Sequence, residues 1–194
     1  MKNILCIGGS GQLGSKVVSV FSKHKVFNVD FAPHPSAAHN ISLKEQSPQL
    51  NNRLVLDSVR SLGVRFNAIL VTAGGWAGGN IKNDDYHEKV RKMNEVNLYP
   101  SLLAAHLSTK YLASGGLVTF TGAAAVYKEP QPEMLAYALS KSGVHYLATA
   151  LAEKAKDFDG KVVTILPSII DTETNRKFMA NADFSTWAKP EHIG

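Results

Sequence analysis

The sequence predicts an α/β fold, a doubly wound parallel sheet with helices on both faces. Two observations indicate this class. Apolar runs of strand length alternate with segments of helical periodicity along the chain, and the first run leads directly into a glycine-rich turn that opens a helix. The alternation favours a parallel sheet, because parallel neighbours need a long crossover connection, which is usually a helix.

The first elements follow from short-range patterns. Residues 2–7, which end in an apolar run over 4–7, are predicted as a buried strand. Residues 12–23 carry apolar side chains at helical spacing, and residues 26–31 form a second strand. The stretch 33–40 is predicted as a loop. A second helix begins at Ser47-Pro48, where serine is an N-cap and proline the first helical residue, and it ends before Gly63.

Two elements and a glycine-rich loop occupy the middle of the chain. Residues 66–72 are nearly all apolar, which is typical of a strand buried on both faces of a sheet. The loop 73–79 contains four glycines. A long helix is predicted from about residue 84 to residue 112, disturbed around Pro100 because proline removes a backbone donor.

The remaining apolar runs complete the alternation. Residues 117–121 and 161–166 are predicted as strands, and residues 132–156 as the helix between them. The chain contains no internal repeat, low-complexity tract or linker that would divide it. We therefore predict one domain over residues 1–194.

Composition and charge exclude several classes of function. The net charge is +5, but the 21 lysines and arginines are spread along the chain, so we predict no nucleic-acid partner. No apolar run reaches the length of a membrane span, and the N-terminus lacks the pattern of a signal peptide. The single cysteine, Cys6, lies in an apolar run and is expected in the core. These features predict a cytoplasmic protein with no membrane partner.

No metal site is predicted. The chain contains seven histidines, and their positions show no metal-ligand spacing. His106 and His145 lie in predicted helices and are expected to be structural. The seven are His24, His34, His39, His87, His106, His145 and His192.

The glycine turn, residues 8–14, indicates a nucleotide site. Gly9, Gly11 and Gly14 form a GxGxxG pattern between a strand and a helix. In this pattern the glycines permit a tight turn, a close approach of backbone amides to a pyrophosphate, and close packing of the helix on the strand. The helix N-terminus adds amide donors and the positive end of its dipole. The placement predicts a Rossmann-type dinucleotide-binding domain.

Asp30 predicts which dinucleotide binds. It ends the second strand about 20 residues after the glycine turn, where a carboxylate can accept hydrogen bonds from the adenosine ribose. Its charge would repel a 2′-phosphate, and neither Ser10 nor Phe31 supplies a compensating cation. We therefore predict NADH, with NADPH less favoured.

Tyr137 and Lys141 are the candidate catalytic residues. They form a YxxxK pattern in a predicted helix, where residues four apart share one face. A nearby ammonium group stabilises a phenolate, so we expect Lys141 to lower the pKa of Tyr137. Such a tyrosine can donate or accept a proton while hydride moves.

The order of these features resembles the short-chain dehydrogenase/reductase family. The matching features are the glycine turn, Asp30, Asn97, Tyr137 with Lys141, and Pro167 followed by Thr172. The resemblance implies that the nicotinamide lies near the loops after the fourth and sixth strands. It assigns the cofactor to Gly8, Gly9, Ser10, Gly11, Gln12, Leu13, Gly14, Asp30, Ala73, Gly74, Gly75, Lys141, Pro167 and Thr172.

One position departs from the family pattern. The family has a serine about thirteen positions before the tyrosine, which contacts a substrate carbonyl or hydroxyl. Here the alanine segment, Ala123 to Ala125, replaces it, and the nearest hydroxyl upstream is Thr121. An ordinary alcohol or ketone substrate is therefore disfavoured.

A narrower resemblance fits this departure. The sequences AGGWAGGN (73–80), DTxxNRK (171–177) and ADFSxW (182–187) are similar to those of the dihydropteridine reductases, the branch that lacks the serine. The resemblance implies NADH-dependent reduction of a quinonoid dihydropterin to its tetrahydro form, with a proton relay through Tyr137 and Lys141. Trp76 and Tyr137 would bind the planar pterin, and residues 171–187 could fold over the site as a lid.

Two alternatives remain open at this stage. The alternatives to a pterin reductase are a carbonyl reductase of the same fold with a substrate other than a pterin, and a dinucleotide-binding protein without catalysis. The family resemblance also implies a homodimer formed by the helices that end near Leu112 and Lys156. Family members continue past the sixth strand into a further strand and helix, and the residues up to Gly194 leave open whether this chain lacks them.

Overall fold

The computed structural model describes residues 1–44 and 47–193, and within them six parallel strands form one sheet. The strands are β1 Asn3–Ile7, β2 Lys25–Asp30, β3 His39–Ser42, β4 Phe66–Val71, β5 Leu112–Thr121 and β6 Gly160–Ile165. Their order is β3-β2-β1-β4-β5-β6. The chain therefore reverses direction across the sheet between β1 and β4, which is the switch point where doubly wound sheets bind ligands.

Helices cover both faces of the sheet. Those in the described residues are α1 Gln12–Val20, α2 Pro48–Leu62, α3 Tyr86–Met93, α4 Tyr99–Tyr111, α5 Ala124–Lys128, α6 Leu135–Glu153 and α7 Glu173–Phe178. A π-helical segment, Asn94–Leu98, joins α3 to α4. The predicted doubly wound sheet with helices on both faces is confirmed.

The alternation of side chains along β1 divides the core into two layers. Leu5 and Ile7 belong to the larger layer, which includes residues of α2, α4 and α6. Ile4 and Cys6 belong to the smaller layer, which includes residues of α1. Each of these four side chains is at most 3% exposed. The period-two alternation of a strand buried on both faces produces this division.

Several predicted boundaries are close to those observed. Ser47 Oγ accepts a hydrogen bond from Leu50 N as the N-cap of α2, and Gly63 ends this helix in the left-handed conformation with φ of 62°. The two long helices are shorter than predicted, and β5 begins five residues earlier than predicted, at Leu112. A register shift between Phe66 and Ala68 separates the early part of β5 from the rest.

The prediction of a loop over residues 33–40 is wrong at its end, because β3 begins at His39. This edge strand is short and polar, with Ile41 as its one buried side chain, so it carries no apolar run. Its register depends partly on a side-chain contact, since Asn28 Nδ2 of β2 donates to Asn40 Oδ1 at 2.9 Å. Such a cross-strand amide pair is not visible in local patterns.

The disturbance predicted near Pro100 is a π-helical segment that ends two residues before this proline. Proline has no amide proton, and its ring crowds the carbonyl four residues earlier. Widening the preceding turn relieves the crowding, and such segments are frequent at functional sites. The widened turn contains Asn97, whose side chain is 1% exposed.

The close contact between the glycine turn and α1 leads to a stability prediction. A Cβ added to Gly14 would lie 2.0 Å from Gly8 O and 2.7 Å from Gly9 Cα, both of them backbone atoms. We expect Gly14→Ala to lower the free energy of unfolding by about 2–4 kcal/mol, because the backbone must shift. Chemical denaturation measures the change.

Gly11→Ala is the matched control in the same turn. The nearest contact of its added Cβ would be Gly8 O at 3.4 Å, an ordinary distance, and the φ of Gly11 is −72°. We expect this variant to be nearly as stable as the parent protein. Equal stabilities of the two variants would contradict the close-packing account.

Candidate active site

Most of the predicted site residues lie at the carboxyl edge of the sheet, on or beside loops that follow four of its strands. Tyr137 and Lys141 lie on α6. The glycine turn follows β1, the glycine loop (residues 73–79) follows β4, the alanine segment follows β5, and Pro167 follows β6. The first two loops contact each other directly. Ala73 N donates to Ile7 O at 2.9 Å, and a Cβ added to Gly8, whose φ is 93°, would lie 2.3 Å from Ala73 N.

The glycine turn presents unpaired amides at the start of α1. Gly11 is the N-cap residue of α1, and no side chain caps this helix end. Leu13 is buried against the smaller core layer, which fixes the helix on the sheet. An uncapped helix N-terminus at a glycine turn is a good environment for an anionic group.

Asp30 contacts the glycine turn through its carboxylate. Its Oδ2 accepts from Ser10 N at 2.8 Å, and its Oδ1 accepts from Phe31 N at 2.7 Å. Ser10 Oγ donates to Ala32 O at 2.7 Å and accepts from Asn28 Nδ2 at 3.1 Å. The carboxylate is thus held at the outer end of the turn, with lone pairs remaining for further donors.

The side chain of Asn97 binds the glycine loop. Its Oδ1 accepts from Gly75 N at 3.0 Å, and its Nδ2 donates to Gly75 O at 3.1 Å. The same Nδ2 donates to Ser140 Oγ at 3.0 Å, and Ser140 Oγ donates to Tyr137 O at 2.7 Å. One buried amide therefore connects the π-helical segment, the glycine loop and the helix that carries Tyr137.

The far end of the glycine loop is hydrogen-bonded to the backbone at the start of α6. Gly79 N donates to Glu133 O at 2.7 Å, and Leu135 N donates to Gly79 O at 3.1 Å. Trp76 lies in this loop between Gly75, which binds Asn97, and Gly79. Its Nε1 donates to Met134 Sδ at 3.3 Å, and 55% of the residue is exposed. The indole therefore presents a flat apolar surface to solvent.

Tyr137 and Lys141 lie one helical turn apart, as predicted, with Lys141 Nζ 6.0 Å from the centroid of the tyrosine ring. Burial raises the pKa of Tyr137 to about 12 and lowers the pKa of Lys141 to about 8. The expectation that Lys141 lowers the pKa of Tyr137 is wrong for this structure. Desolvation of the phenol dominates, and Lys141 Nζ donates instead to Thr121 O at 2.7 Å.

The alanine segment offers no hydroxyl group to the site. Ala123 is 6% exposed, and Ala124 N donates to Pro167 O at 3.0 Å, which joins the loops after β5 and β6. Thr121, the nearest upstream hydroxyl, donates its proton to Val71 O of β4 at 2.7 Å. The hydroxyl proton of Thr121 is therefore used in a hydrogen bond within the sheet.

The lid segment, residues 171–187, contacts both glycine-rich loops. Thr172 caps α7, and its Oγ1 accepts from Asn175 N at 3.2 Å. Thr174 N donates to Gln12 Oε1 of the glycine turn at 3.2 Å. The ring centroid of Phe178 lies 6.3 Å from that of Trp76. The segment thus bridges from the glycine turn to the exposed tryptophan.

Two side chains of the site, Asn97 and His145, are not among the residues that the sequence identifies as catalytic or binding. The sequence indicates Asn97 by position alone, and its side-chain contact with Gly75 depends on packing between distant segments. His145, expected to be structural, accepts a hydrogen bond from Ala123 N at 3.1 Å. Over residues 1–44 and 47–193, no group of three or more His, Cys, Asp and Glu side chains could hold a metal ion.

The buried Lys141 leads to a prediction about stability and pH. Its folded pKa is about 8 and its usual pKa is 10.5, so between these values the unfolded state binds more protons. The free energy of unfolding should therefore rise with pH from about 8 to about 9, by about 1 kcal/mol per pH unit. Above about pH 9 the buried thiol of Cys6, whose pKa burial raises from 9.0 to about 11, adds a slope of the opposite sign. Above about pH 10 the raised pKa of Tyr137 adds to this opposing slope.

Denaturation curves across this pH range measure the effect. Lys141→Met should remove the slope, and Lys110→Met, at an exposed position on α4, should retain it. A slope that persists in Lys141→Met would show that another group causes it.

Comparisons with known proteins agree with this geometry. Residues 2–183 match the short chain dehydrogenase family. A protein of Dictyostelium discoideum named dihydropteridine reductase is 36% identical over 191 residues, covering 96% of this chain and 81% of that protein. A cyclic-di-GMP-binding biofilm dispersal mediator protein of Escherichia coli K12 is 27% identical over 187 residues, covering 90% of this chain and 75% of that protein.

The solved structures give the same result for the fold. A short chain dehydrogenase family protein of Francisella tularensis superposes with a TM-score of 0.84 at 25% identity, covering 100% of this chain and 88% of that protein. The family match spans the glycine turn, Asp30, Asn97, and Tyr137 with Lys141. The chain belongs to the short-chain dehydrogenase/reductase family of oxidoreductases.

Proposed function

We propose that this chain reduces a quinonoid dihydropteridine to its tetrahydro form with NADH. The observation that carries the proposal is a half-buried Tyr137 one helical turn from a buried Lys141, at a site that has an exposed Trp76 and in which alanines replace the hydroxyl group. The 36% identity to a protein named dihydropteridine reductase supports it. A single NAD-binding domain over residues 1–194 is part of this proposal.

The residues present fit a nicotinamide dinucleotide. A Cβ at Gly14 would meet backbone atoms of Gly8 and Gly9, so this glycine permits the close packing of helix on strand that the dinucleotide-binding pattern requires. The pyrophosphate would bind the amides of the glycine turn, and Asp30 would accept from the adenosine ribose. Gly74 lies beside Lys141, since an added Cβ there would be 3.5 Å from Nζ. Lys141 would bind the nicotinamide ribose, between Ala73–Gly75 and the Pro167 and Thr172 loop.

A bound nicotinamide dinucleotide would supply the hydride that reduces the pterin ring. Tyr137 has a raised pKa, so its phenol is protonated at neutral pH and can donate a proton to a ring nitrogen. Transfer of one hydride from NADH and one proton from Tyr137 would convert the quinonoid dihydropterin to the tetrahydropterin and leave NAD⁺. Solvent would then return a proton to Tyr137 through a relay that includes Lys141, whose Nζ lies 6.0 Å from the centroid of the tyrosine ring.

The pocket geometry favours a planar substrate. Trp76 and Phe178 are 55% and 72% exposed, and they approach each other from the glycine loop and the lid segment. A flat bicyclic ring can pack on such faces, because aromatic rings stack with centroids about 4.5–7 Å apart. A pterin accepts hydride and proton on its ring system, so it needs no serine hydroxyl to polarise a carbonyl.

The alternative of a non-catalytic binding protein has one specific observation in its favour. A relative of 27% identity is named for binding cyclic-di-GMP. The Tyr137 and Lys141 pair argues against this alternative, since a tyrosine placed to transfer a proton is unnecessary for binding alone. A carbonyl reductase with another substrate predicts turnover of ketones but not of the pterin.

The predicted homodimer and cytoplasmic location remain proposals. Leu102 of α4 and Leu139 of α6 are 42% and 48% exposed, and these apolar faces suit an interface between the two helices of each subunit. In the part of the chain that the structure describes, no helix has both the length and the apolar character to cross a membrane. The absence of a nucleic-acid partner likewise remains a prediction from charge.

Turnover with freshly generated quinonoid dihydrobiopterin tests the proposal. We expect the parent protein to oxidise NADH in its presence, measured by the loss of reduced-nicotinamide absorbance. Tyr137→Phe should lower kcat by about 100-fold or more, because it removes the proton donor. Tyr146→Phe, at a 79% exposed tyrosine of the same helix, is the matched control and should keep full activity.

Three outcomes separate the candidate functions. Ketone reduction without pterin reduction would favour the carbonyl reductase. NADH binding without turnover of either substrate class would favour the binding protein. Full activity of Tyr137→Phe would remove the tyrosine from the mechanism.

The charge of Asp30 predicts the cofactor preference. We expect kcat/KM to be higher with NADH than with NADPH, because a 2′-phosphate would lie against the carboxylate. Asp30→Asn retains a hydrogen-bond acceptor without the charge, so the NADH/NADPH ratio should fall by about tenfold or more. Asp57→Asn, on the exposed side of α2, should leave the ratio unchanged. An unchanged ratio in Asp30→Asn would rule out the charge as its cause.

A further inference from the structure

We propose that His145 is a positioning residue of this site, whose neutral imidazole fixes the backbone that follows β5. The inference rests on the proposed reductase function for its activity readout. It assigns His145 a role that depends on hydrogen-bond acceptance, and therefore on pH. In this role His145 anchors the backbone of the alanine segment, which has no serine side chain of its own.

The hydrogen bond between Ala123 and His145 can form in one direction only. His145 Nε2 lies 3.1 Å from Ala123 N, and the amide can only donate, so Nε2 must be the unprotonated nitrogen. The neutral ring therefore carries its proton on Nδ1. The fit is close, since a Cβ added to Gly122 would lie 2.4 Å from Nε2. Glycine at position 122 is thus matched to the imidazole at position 145.

His145 and Lys141 act on the same stretch of backbone from one face of α6. Lys141 Nζ donates to Thr121 O at 2.7 Å, and His145 Nε2 accepts from Ala123 N two residues later. One side chain thus fixes a carbonyl and the other an amide. Losing the second contact would leave Ala123 free to move relative to the Tyr137 and Lys141 pair, and displacements of about 1 Å can cost about 100-fold in rate.

The surroundings of the imidazole oppose its protonation. Burial and, to a lesser degree, the positive charge of Lys141 on the same helix lower the pKa of His145 below its usual 6.5. Tyr127 of α5 packs edge-on against the ring, with centroids 5.8 Å apart. A protonated Nε2 would be a donor facing the donor Ala123 N, so the contact is lost in acid.

NMR spectroscopy of the full chain tests the contact without any assay. We expect the ¹⁵N shifts of His145 to show the Nδ1-protonated tautomer at neutral pH. The amide shift of Ala123 should titrate together with the His145 ring. An Nε2-protonated ring at neutral pH, or an Ala123 amide insensitive to this titration, would overturn the proposal whatever the substrate is.

The pH profile of kcat tests the role in catalysis. Two variants are compared: His145→Gln, whose amide oxygen can still accept a hydrogen bond, and His145→Ala, which has no acceptor. His145→Ala should lower kcat by about tenfold or more at neutral pH, with the Kd for NADH changed by less than about twofold. His145→Gln should retain most of kcat and lose the acid limb of the profile. His87→Gln, at an exposed position on α3, is the control and should keep that limb.

The outcomes separate this proposal from the proposed function. If the parent protein reduces no pterin, the proposed function fails, and the NMR experiment alone decides the role of His145 in positioning the backbone. If the protein is active and the acid limb is the same in His145→Gln, the catalytic part is wrong. A fall in kcat of His145→Gln as large as that of His145→Ala would also overturn it, since acceptance by the side chain would then not be what matters.

Discussion

The close approach of two backbone segments at the switch point of the sheet is the constraint on which the site depends. Gly8 leaves β1 with φ of 93° and lies against Ala73, which follows β4. Any side chain at Gly8 would separate the two loops. Because the loops touch, the uncapped start of α1 and the glycine loop face the same space. Other contacts of the site hold the π-helical segment and the lid segment against these two loops.

A buried polar network then connects the loops to the reactive side chains. Asn97 satisfies both backbone groups of Gly75 and contacts Ser140, which lies beside Lys141 on α6. The π-helical segment that contains Asn97 is a local departure from regular helix, and Pro100 provides its cause. An irregular turn and a buried amide thus connect helix packing to the position of Tyr137.

Burying the reactive side chains costs electrostatic free energy. Lys141 is 4% exposed, and burial lowers its pKa, so its charged form is less stable here than in water. The pKa of Tyr137 is shifted in the opposite direction, and its phenol remains protonated. At neutral pH the protonated phenol of Tyr137 is consistent with the proposed reduction, which consumes a proton. Groups of this kind are expected to reduce stability where they serve function.

Local sequence patterns were sufficient for the alternation of elements, the glycine turn, the acidic residue that ends β2 and the spacing of Tyr137 and Lys141. Apolar runs, glycine spacing and helical periodicity depend only on neighbours along the chain. The strand β3, the side-chain contacts of Asn97 and His145, and the direction of the Tyr137 pKa shift follow only from the folded chain. Each depends on groups far apart in sequence, such as Ala123 with His145, and on burial that no local pattern records.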